Sequence, residues 1–585
     1  MNIKSFEFFD NKVLMRIQDR VCDTSEELIA SVMFKHFLTL AVKRLQKRNS
    51  LLLNVFGKRD VHRQDMDLLI QTFQFLLKMP GHLVPNVVPG SEIFFRDKSI
   101  LHDFVEDLYN YWRSYDRFLT LDSTGDDLDQ RPYRTFHATM EHLMHLIRFT
   151  YRDIQENISG SHPRIYRQVR AGAEVATISV PKEIPFHDPV YRKLNAIPVI
   201  RQILLYPPMI LNPPMNKRSG RFERVQQNPL EGLDLKTEDW LCYPAKVGPL
   251  TILIYVHKKF LELGLALCNL FKIADDEDLR KQPDAVYLFG VPDPALDKFG
   301  SFPTVFYDDE KNGLLSAAVP NRDDFGYYGY LKKMALTLHN IQMMKSGKLP
   351  FHGAFVRVIM KGNKDFTFLF IGDTGAGKSE SLEALRALGE SDIQDLIVIA
   401  DDMGSLEIDK EGNIIGYGTE IGAFLRLDDL QPGYAFGQID RAIIMSPNKV
   451  NARIVLPVTT YQTLIKGHQV DYILYANNYD DIDEEHPLIE RFTSPEAAIK
   501  VFRDGTVMSK GTTTSSGLVH SYFANIFGPP QYKELHDALA KKYFEAFFQK
   551  KLFVGEIRTR LGLSGRERSG PEEAARELLR IMRER

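Results

Sequence analysis

The stretch FTFLFIGDTGAGKSESLEAL, residues 366–385, constrains the fold more than any other segment. An apolar run, FTFLFI, reads as a buried strand, and ESLEALRAL carries the apolar spacing of a helix. Between them lie Gly372, Asp373, Thr374, Gly375, Ala376, Gly377, Lys378 and Ser379, which satisfy the P-loop pattern. The glycines let backbone N–H groups converge on phosphate oxygens. The lysine supplies charge, and the serine hydroxyl can reach a metal ion. The helix start adds its own attraction for an anion. Strand, loop and helix in this order predict an α/β layer with a phosphate site at the strand's end.

A metal ion at such a site needs carboxylates. LIVIADDMG, residues 396–404, ends an apolar run in Asp401 and Asp402, where metal-binding acids are expected beside a P-loop. KLPFHGAFVRV sets His352 beside a further strand. On their own, His352 reads as a structural histidine, and Lys332 and Lys333 read as a solvated helix face.

Composition narrows the class. The 585 residues exceed one small core, so two or more domains are expected. A formal charge of −3 gives no reason to expect nucleic acid or an anionic membrane as partner. Cys22, Cys242 and Cys268 lie far apart and lack metal-ligand spacing, which fits a reducing compartment. The N-terminus carries acidic residues early and no apolar signal core. The longest helix-like apolar run, FLELGLALCNLF, is too short to cross a bilayer. A cytoplasmic protein is expected.

Residues 1 to about 170 read as mostly helical, from EELIASVMFKHFLTLAVKRLQKR and FVEDLYNYWRSYDRFL, with a loop at STGDDLDQRP. His137, His142 and His145 read there as solvated or core side chains. Residues 181–230 are broken by prolines into extended segments and turns. From 249, PLTILIYV, DAVYLFGV and GLLSAAV read as strands and KKFLELGLALCNLF as a helix.

FGYYGYLKKMALTLHNIQMMKSGKLPFHGAFV, residues 325–356, resembles the segment of phosphoenolpyruvate carboxykinases with a tyrosine, a glycine, paired lysines and a histidine. Tyr327, Lys332, Lys333 and His352 stand at those places. VNARIVLPV resembles the family's arginine stretch and offers Arg453, and VFRDGTVMSKGTTTSSGLVHSYFANIFGPPQY resembles the lid and following segment of the ATP-using branch. The likeness runs with gaps from about 210 to 545 and rests on shared order.

The resemblance implies a two-lobed carboxykinase-like α/β fold with a P-loop lobe. It divides the chain into a helical N-terminal extension at 1–175, an N-terminal lobe at 176–335, and a nucleotide- and metal-binding lobe with a C-terminal tail at 336–585. It implies conversion of oxaloacetate to phosphoenolpyruvate and carbon dioxide with a phosphate donor. Mn²⁺ would sit on Lys333, His352 and Asp402. Mg²⁺ would bridge donor phosphates beside Ser379 and the acid pair, with Lys378 on the transferring group. A lysine ligand must be neutral, which a neighbouring cation such as Lys332 favours. Arg453 would steady substrate or phosphoryl group, and Arg221, with Arg218 as the other choice, would hold the substrate carboxylate. GTTTSSG, Gly511 to Gly517, could close over the site.

Three departures keep other readings open. The N-terminal residues have no counterpart in the ATP-using enzymes and could serve a protein partner or an oligomer contact. The family's adenine clamp is not recognisable after the lid, which leaves ATP, GTP or pyrophosphate as donor; the tail beyond Pro571 reads as a solvated basic helix. The loop ends in Glu380, and GDTGAGKSE with an upstream HG and downstream ADD also resembles HPr kinase/phosphorylase, a protein-serine kinase. A kinase of a protein serine or small hydroxylated molecule, or a regulator that has lost catalysis, are the alternatives.

Overall fold

Two compact units make up the chain in the computed structural model: Met1–Lys182 with Pro198–Pro207, and Glu183–Ile197 with Pro208–Arg585. The structure describes residues 3–584 except 19, 125–131, 219–220, 363, 390, 428–429, 431–437 and 510–516, with side chains at 132–135 also left aside. Most of the STGDDLDQRP loop therefore lies outside the described residues. Among them, no helix is long and apolar enough to cross a membrane.

The first unit holds more strand than its sequence suggests. Ile3–Phe9 pairs antiparallel with Lys12–Ile17, which runs parallel to Asp116–Asp122, and that strand parallel to Val175–Val180. Val199–Leu205 closes this part of the sheet antiparallel. The stretch read as one helix over 26–48 is two, Ser25–Ala30 and Val32–Lys47, divided at Ser31. Ser31 has extended backbone and accepts from Phe34 N at 3.0 Å, the N-cap arrangement that starts a new helix. Likewise FVEDLYNYWRSYDRFL leaves the helix Lys98–Arg113 and becomes strand at Asp116. Phe37, Leu45, Phe73, Leu101 and Phe104 lie in its core.

The second unit is mixed α/β. Trp240–Val247 pairs antiparallel with Leu250–His257, followed in parallel by Ala285–Val291 and Leu314–Pro320. A second sheet contains the expected strand Asp365–Ile371, set between Leu349–Met360, antiparallel, and Tyr472–Asn477, parallel. Phe553–Arg558 extends it in parallel beyond Tyr472–Asn477. A smaller sheet joins Gly422–Arg426 and Arg453–Pro457.

Helix Tyr328–Lys345 is buried almost all round and packs against strands of both large sheets. The lobe boundary expected at 335/336 falls inside this continuous helix. The C-terminal tail differs from the solvated helix expected of it. Ser569–Glu584 buries Ala574, Ala575, Leu578, Leu579 and Met582 in the core beneath the loop helix Lys378–Leu388. Its exposed Arg576, Arg580 and Arg583 lie on the other face.

Candidate active site

The glycine loop leaves its strand at Ile371 and enters helix Lys378–Leu388 through Gly377, whose φ is +91°. A side chain at Gly377 would stand 2.5 Å from Thr559 Oγ1, so both backbone and space require glycine there. Thr559 follows the strand Phe553–Arg558 and donates to Ala376 O at 2.7 Å, while Asn478 Nδ2 donates to Gly375 O at 2.9 Å. Chain segments over a hundred residues away thus hold the loop open. Lys378 is buried and donates to Gly372 O and Asp373 O, folding its charge back over the loop. Burial lowers its pKa, against the pull of Asp373 and Asp402. Ser379 is exposed at the helix start and Thr374 at the loop's tip. Glu380 lies in the first turn, where an acid suits the helix dipole.

Sheet register brings the acids to this loop. His352 pairs with Met403 and the next residue, Gly353, with Ile371, so one strand touches both the acid turn and the loop entrance. Gly353 N donates to Asp402 O at 2.9 Å, and Gly372 N to His352 O at 3.3 Å. His352 is therefore inside a strand, Leu349–Met360, and 3% exposed.

Two phenylalanine rings gather the cations. Lys333 Nζ lies 4.7 Å from the Phe527 centroid, Arg218 5.8 Å, and the His352 ring 6.1 Å. Around Phe424 stand Lys332 Nζ at 5.9 Å, Arg453 at 5.2 Å and the Tyr327 ring at 6.1 Å. Arg221 is exposed, while Arg218 is the arginine whose charge bears on Lys333. Of the two arginines expected for a substrate carboxylate, Arg218 is the one at the cluster.

The paired lysines have opposite electrostatics. Lys332 Nζ lies 2.7 Å from Asp402 Oδ2 and 3.0 Å from Glu420 Oε1. Burial opposes its charge, but Asp402 and Glu420 outweigh that and raise its pKa. Lys333 is pushed down to about 8 by burial and by Arg218. Burial works against Asp402 too, yet Lys332 and His352 hold its carboxyl well below the usual range. Burial raises Asp401 to about 6 and Glu420 to about 8. One lysine neutralises one carboxylate, so Asp402 takes the charge and Glu420 keeps its proton. The Glu420 contact with Lys332 is close but not a directed hydrogen bond, and its two oxygens are buried without another partner.

The donor set suits a divalent cation. His352 Nδ1 faces Ala524 O, an acceptor, so that nitrogen carries a hydrogen. Its Nε2 lies 2.9 Å from Asp402 Oδ1, a second acceptor. Either the ring is an imidazolium, or its neutral Nε2 lone pair and Asp402 turn together toward a shared cation. Lys333, eased toward neutrality and sharing the Phe527 ring with His352, could serve as a third donor. Among the described residues no three His, Cys, Asp or Glu side chains form a metal-binding group.

Glu420, Phe424, Phe527 and Thr559 belong to this site without having been singled out in the sequence. Glu420 is the acid in GYGTEIGAFLRL, between two strands, which was the available signal. Residues 511–516 of the expected lid lie outside the described residues; its flanks Thr506–Ser509 and Gly517–His520 pair antiparallel. The tail arginines Arg558 and Arg560 are buried against Glu490, Glu556, Asp481 and Glu573 rather than offered to phosphate. No protein-family model matches the chain, and no curated protein matches its sequence significantly.

Proposed function

We propose that this protein is a phosphoenolpyruvate carboxykinase-like enzyme. It would decarboxylate oxaloacetate and transfer a phosphoryl group from a nucleotide, or from pyrophosphate, to the resulting enolate. The observation that carries the reading is the divided lysine pair. Lys332 is held charged by Asp402, while Lys333, one residue on, is pushed down to about 8 by burial and shares the Phe527 ring with His352. A phosphate loop alone has no use for a lysine eased toward neutrality.

Lys333, His352 and Asp402 would hold Mn²⁺, and Ser379 with Asp401 would hold Mg²⁺. When bound, such ions supply positive charge beside the enolate oxygen and the donor phosphates. The chain's own residues do the rest. Arg218, stacked over Phe222 at 4.9 Å, presents a planar fork for the carboxylate that remains on the three-carbon product. Breaking the C–C bond to the departing carboxylate releases carbon dioxide and leaves an electron pair on the enolate. That oxygen attacks the terminal phosphorus, and the donor's bridging oxygen departs. Lys378 leaves its backbone carbonyls to meet the transferring group, and the loop N–H groups hold the rest. Arg453 adds charge from the Phe424 side. Lys332 keeps Asp402 ionised and oriented.

Glu380 favours a second reading, a kinase of a protein serine, since an acid stands where carboxykinases usually carry a non-acidic residue. The experiment that separates them is phosphoenolpyruvate formation from purified protein with oxaloacetate and Mn²⁺, supplied with ATP, GTP or pyrophosphate in turn. Donor-dependent product that Lys333→Ala and Lys378→Ala both abolish supports the carboxykinase reading. No product from any donor, with nucleotide still bound through Lys378, overturns it.

A further inference from the structure

The first unit contains a cavity of about 100 Å³, lined by none of the candidate-site residues, between the helices Val32–Lys47, Arg63–Leu76, Lys98–Arg113 and Pro132–Ser159. Its wall is almost wholly hydrocarbon. The polar side-chain atoms of Ser31, Thr150, Trp112 and Tyr151 around it are engaged with protein. Ser31 Oγ donates to Leu28 O at 2.7 Å, and Thr150 Oγ1 to Leu146 O at 2.8 Å. Trp112 Nε1 donates to Ala171 O at 2.6 Å, and the Tyr151 hydroxyl to Glu106.

Water entering such a space finds few of its usual two to four partners, so the favoured occupant is apolar. Aromatic faces dominate one side, where the rings of Tyr109 and Tyr151 stack at 4.0 Å. Tyr109, Trp112 and Tyr151 are only half-buried, so the cavity is not sealed within the core. A well-packed interior leaves few voids larger than a water molecule. We propose that this cavity is a binding site for a small uncharged molecule with a hydrocarbon body, the size of one aromatic ring. Ligand in the cavity stabilises the first unit by mass action.

Trp112 makes the test direct, because the chain has two tryptophans and the other, Trp240, lies in the second unit. In the full chain carrying Trp240→Phe, Trp112 is the sole emitter, and iodobenzene is the probe, quenching by contact. The expected result is saturable quenching of at least twofold, reversed by toluene, with toluene also raising the thermal midpoint of the unsubstituted chain. Val105→Phe and Leu143→Phe each fill the cavity and should weaken iodobenzene binding at least fivefold. Quenching that rises linearly, without saturation or displacement by toluene, overturns the proposal. So does saturable quenching that persists unchanged in a filled variant that folds, since the site is then elsewhere. If neither filled variant folds, displacement by toluene decides.

Discussion

Lys332 Nζ meets Asp402 Oδ2 at 2.7 Å from a side chain that is 2% exposed, and this pair sets the charge of the whole centre. Removing the lysine would leave Asp402 without its cation, and breaking a buried pair from one side costs roughly 3–5 kcal/mol. Lys332→Met is therefore expected to lower unfolding free energy by about 3 kcal/mol. Glu420, raised to about 8 by burial, is already neutral at pH 7. Glu420→Gln keeps shape and neutrality and should cost less than ~1 kcal/mol. Urea unfolding of the two variants at pH 7 checks this. Equal losses would mean that Glu420 is ionised and shares the lysine.

The loop's tolerance should differ between its two left-handed glycines. Gly375 has φ +82° and open space where a Cβ would go, whereas Gly377 has φ +91° and Thr559 Oγ1 at 2.5 Å. Gly375→Ala carries only the backbone penalty, ~1–2 kcal/mol. Gly377→Ala adds a clash with the side chain that fixes Ala376 O. Nucleotide affinity, measured by calorimetry, should fall several-fold in the first and beyond detection in the second. Thr559→Val, which keeps the volume and loses the hydrogen bond, is expected to lie between them. Equal affinities in the two alanine variants would remove Thr559 from the loop's support.

The parts legible in the sequence were those whose cause is local. The apolar run and helix around Gly372–Ser379 needed only near neighbours, and they form as read. Asp402 and His352 were visible as polar residues ending or interrupting apolar runs. Glu420 and Phe527 were not, because what marks them is contact with Lys332 and Lys333, which only the tertiary fold brings to them. Thr559 lies 183 residues from Ala376, and its role exists only once Phe553–Arg558 joins the sheet. The C-terminal helix misled through its arginines. Its apolar residues at 574, 575, 578, 579 and 582 form one buried face, and the arginines that mark it as solvated occupy the other. In the first unit, helical spacing hid the points where Ser31 and Tyr115 end one element and begin another.

Beside the site, Phe523, Ala524 and Asn525 run consecutively at φ 44°, 56° and 62°. Three successive non-glycine residues in the left-handed region cost ~1–2 kcal/mol each, less for asparagine. The turn aims Ala524 O at His352 Nδ1, so the strain is coupled to the histidine's proton. Ala524→Gly relieves one residue at the price of a looser unfolded chain and should stabilise by a net ~0.5–1 kcal/mol. The same freedom lets the carbonyl wander, so turnover should fall as the thermal midpoint rises. A variant that is both less stable and fully active would show the turn to be unstrained and unconnected with His352.

His339, further along the helix that carries Lys332 and Lys333, gives the molecule a pH dependence of its own. It is 0% exposed, its Nδ1 lies 3.0 Å from Asn340 Oδ1, and its Nε2 has no hydrogen-bond partner. Burial pushes its pKa down to about 4. Above about 6.5, the unfolded value, the ring is neutral in both states and the fold bears no penalty. As pH falls below that, the unfolded chain takes up a proton that the folded chain refuses until about 4. Stability is thus present above the unfolded pKa and lost through this window, by ~2 kcal/mol between pH 7 and 5 for one such histidine. His339→Gln removes the titrating ring, and its pH 7-to-5 loss, followed in urea through Trp240 of the same unit, should be smaller by about that amount. His536, also pushed to about 4 by burial, contributes in the same direction, so substituting both should flatten the profile further. An unchanged slope in the His339 variant would mean that the folded protein already carries a proton there, and that Nε2 has a partner able to accept it.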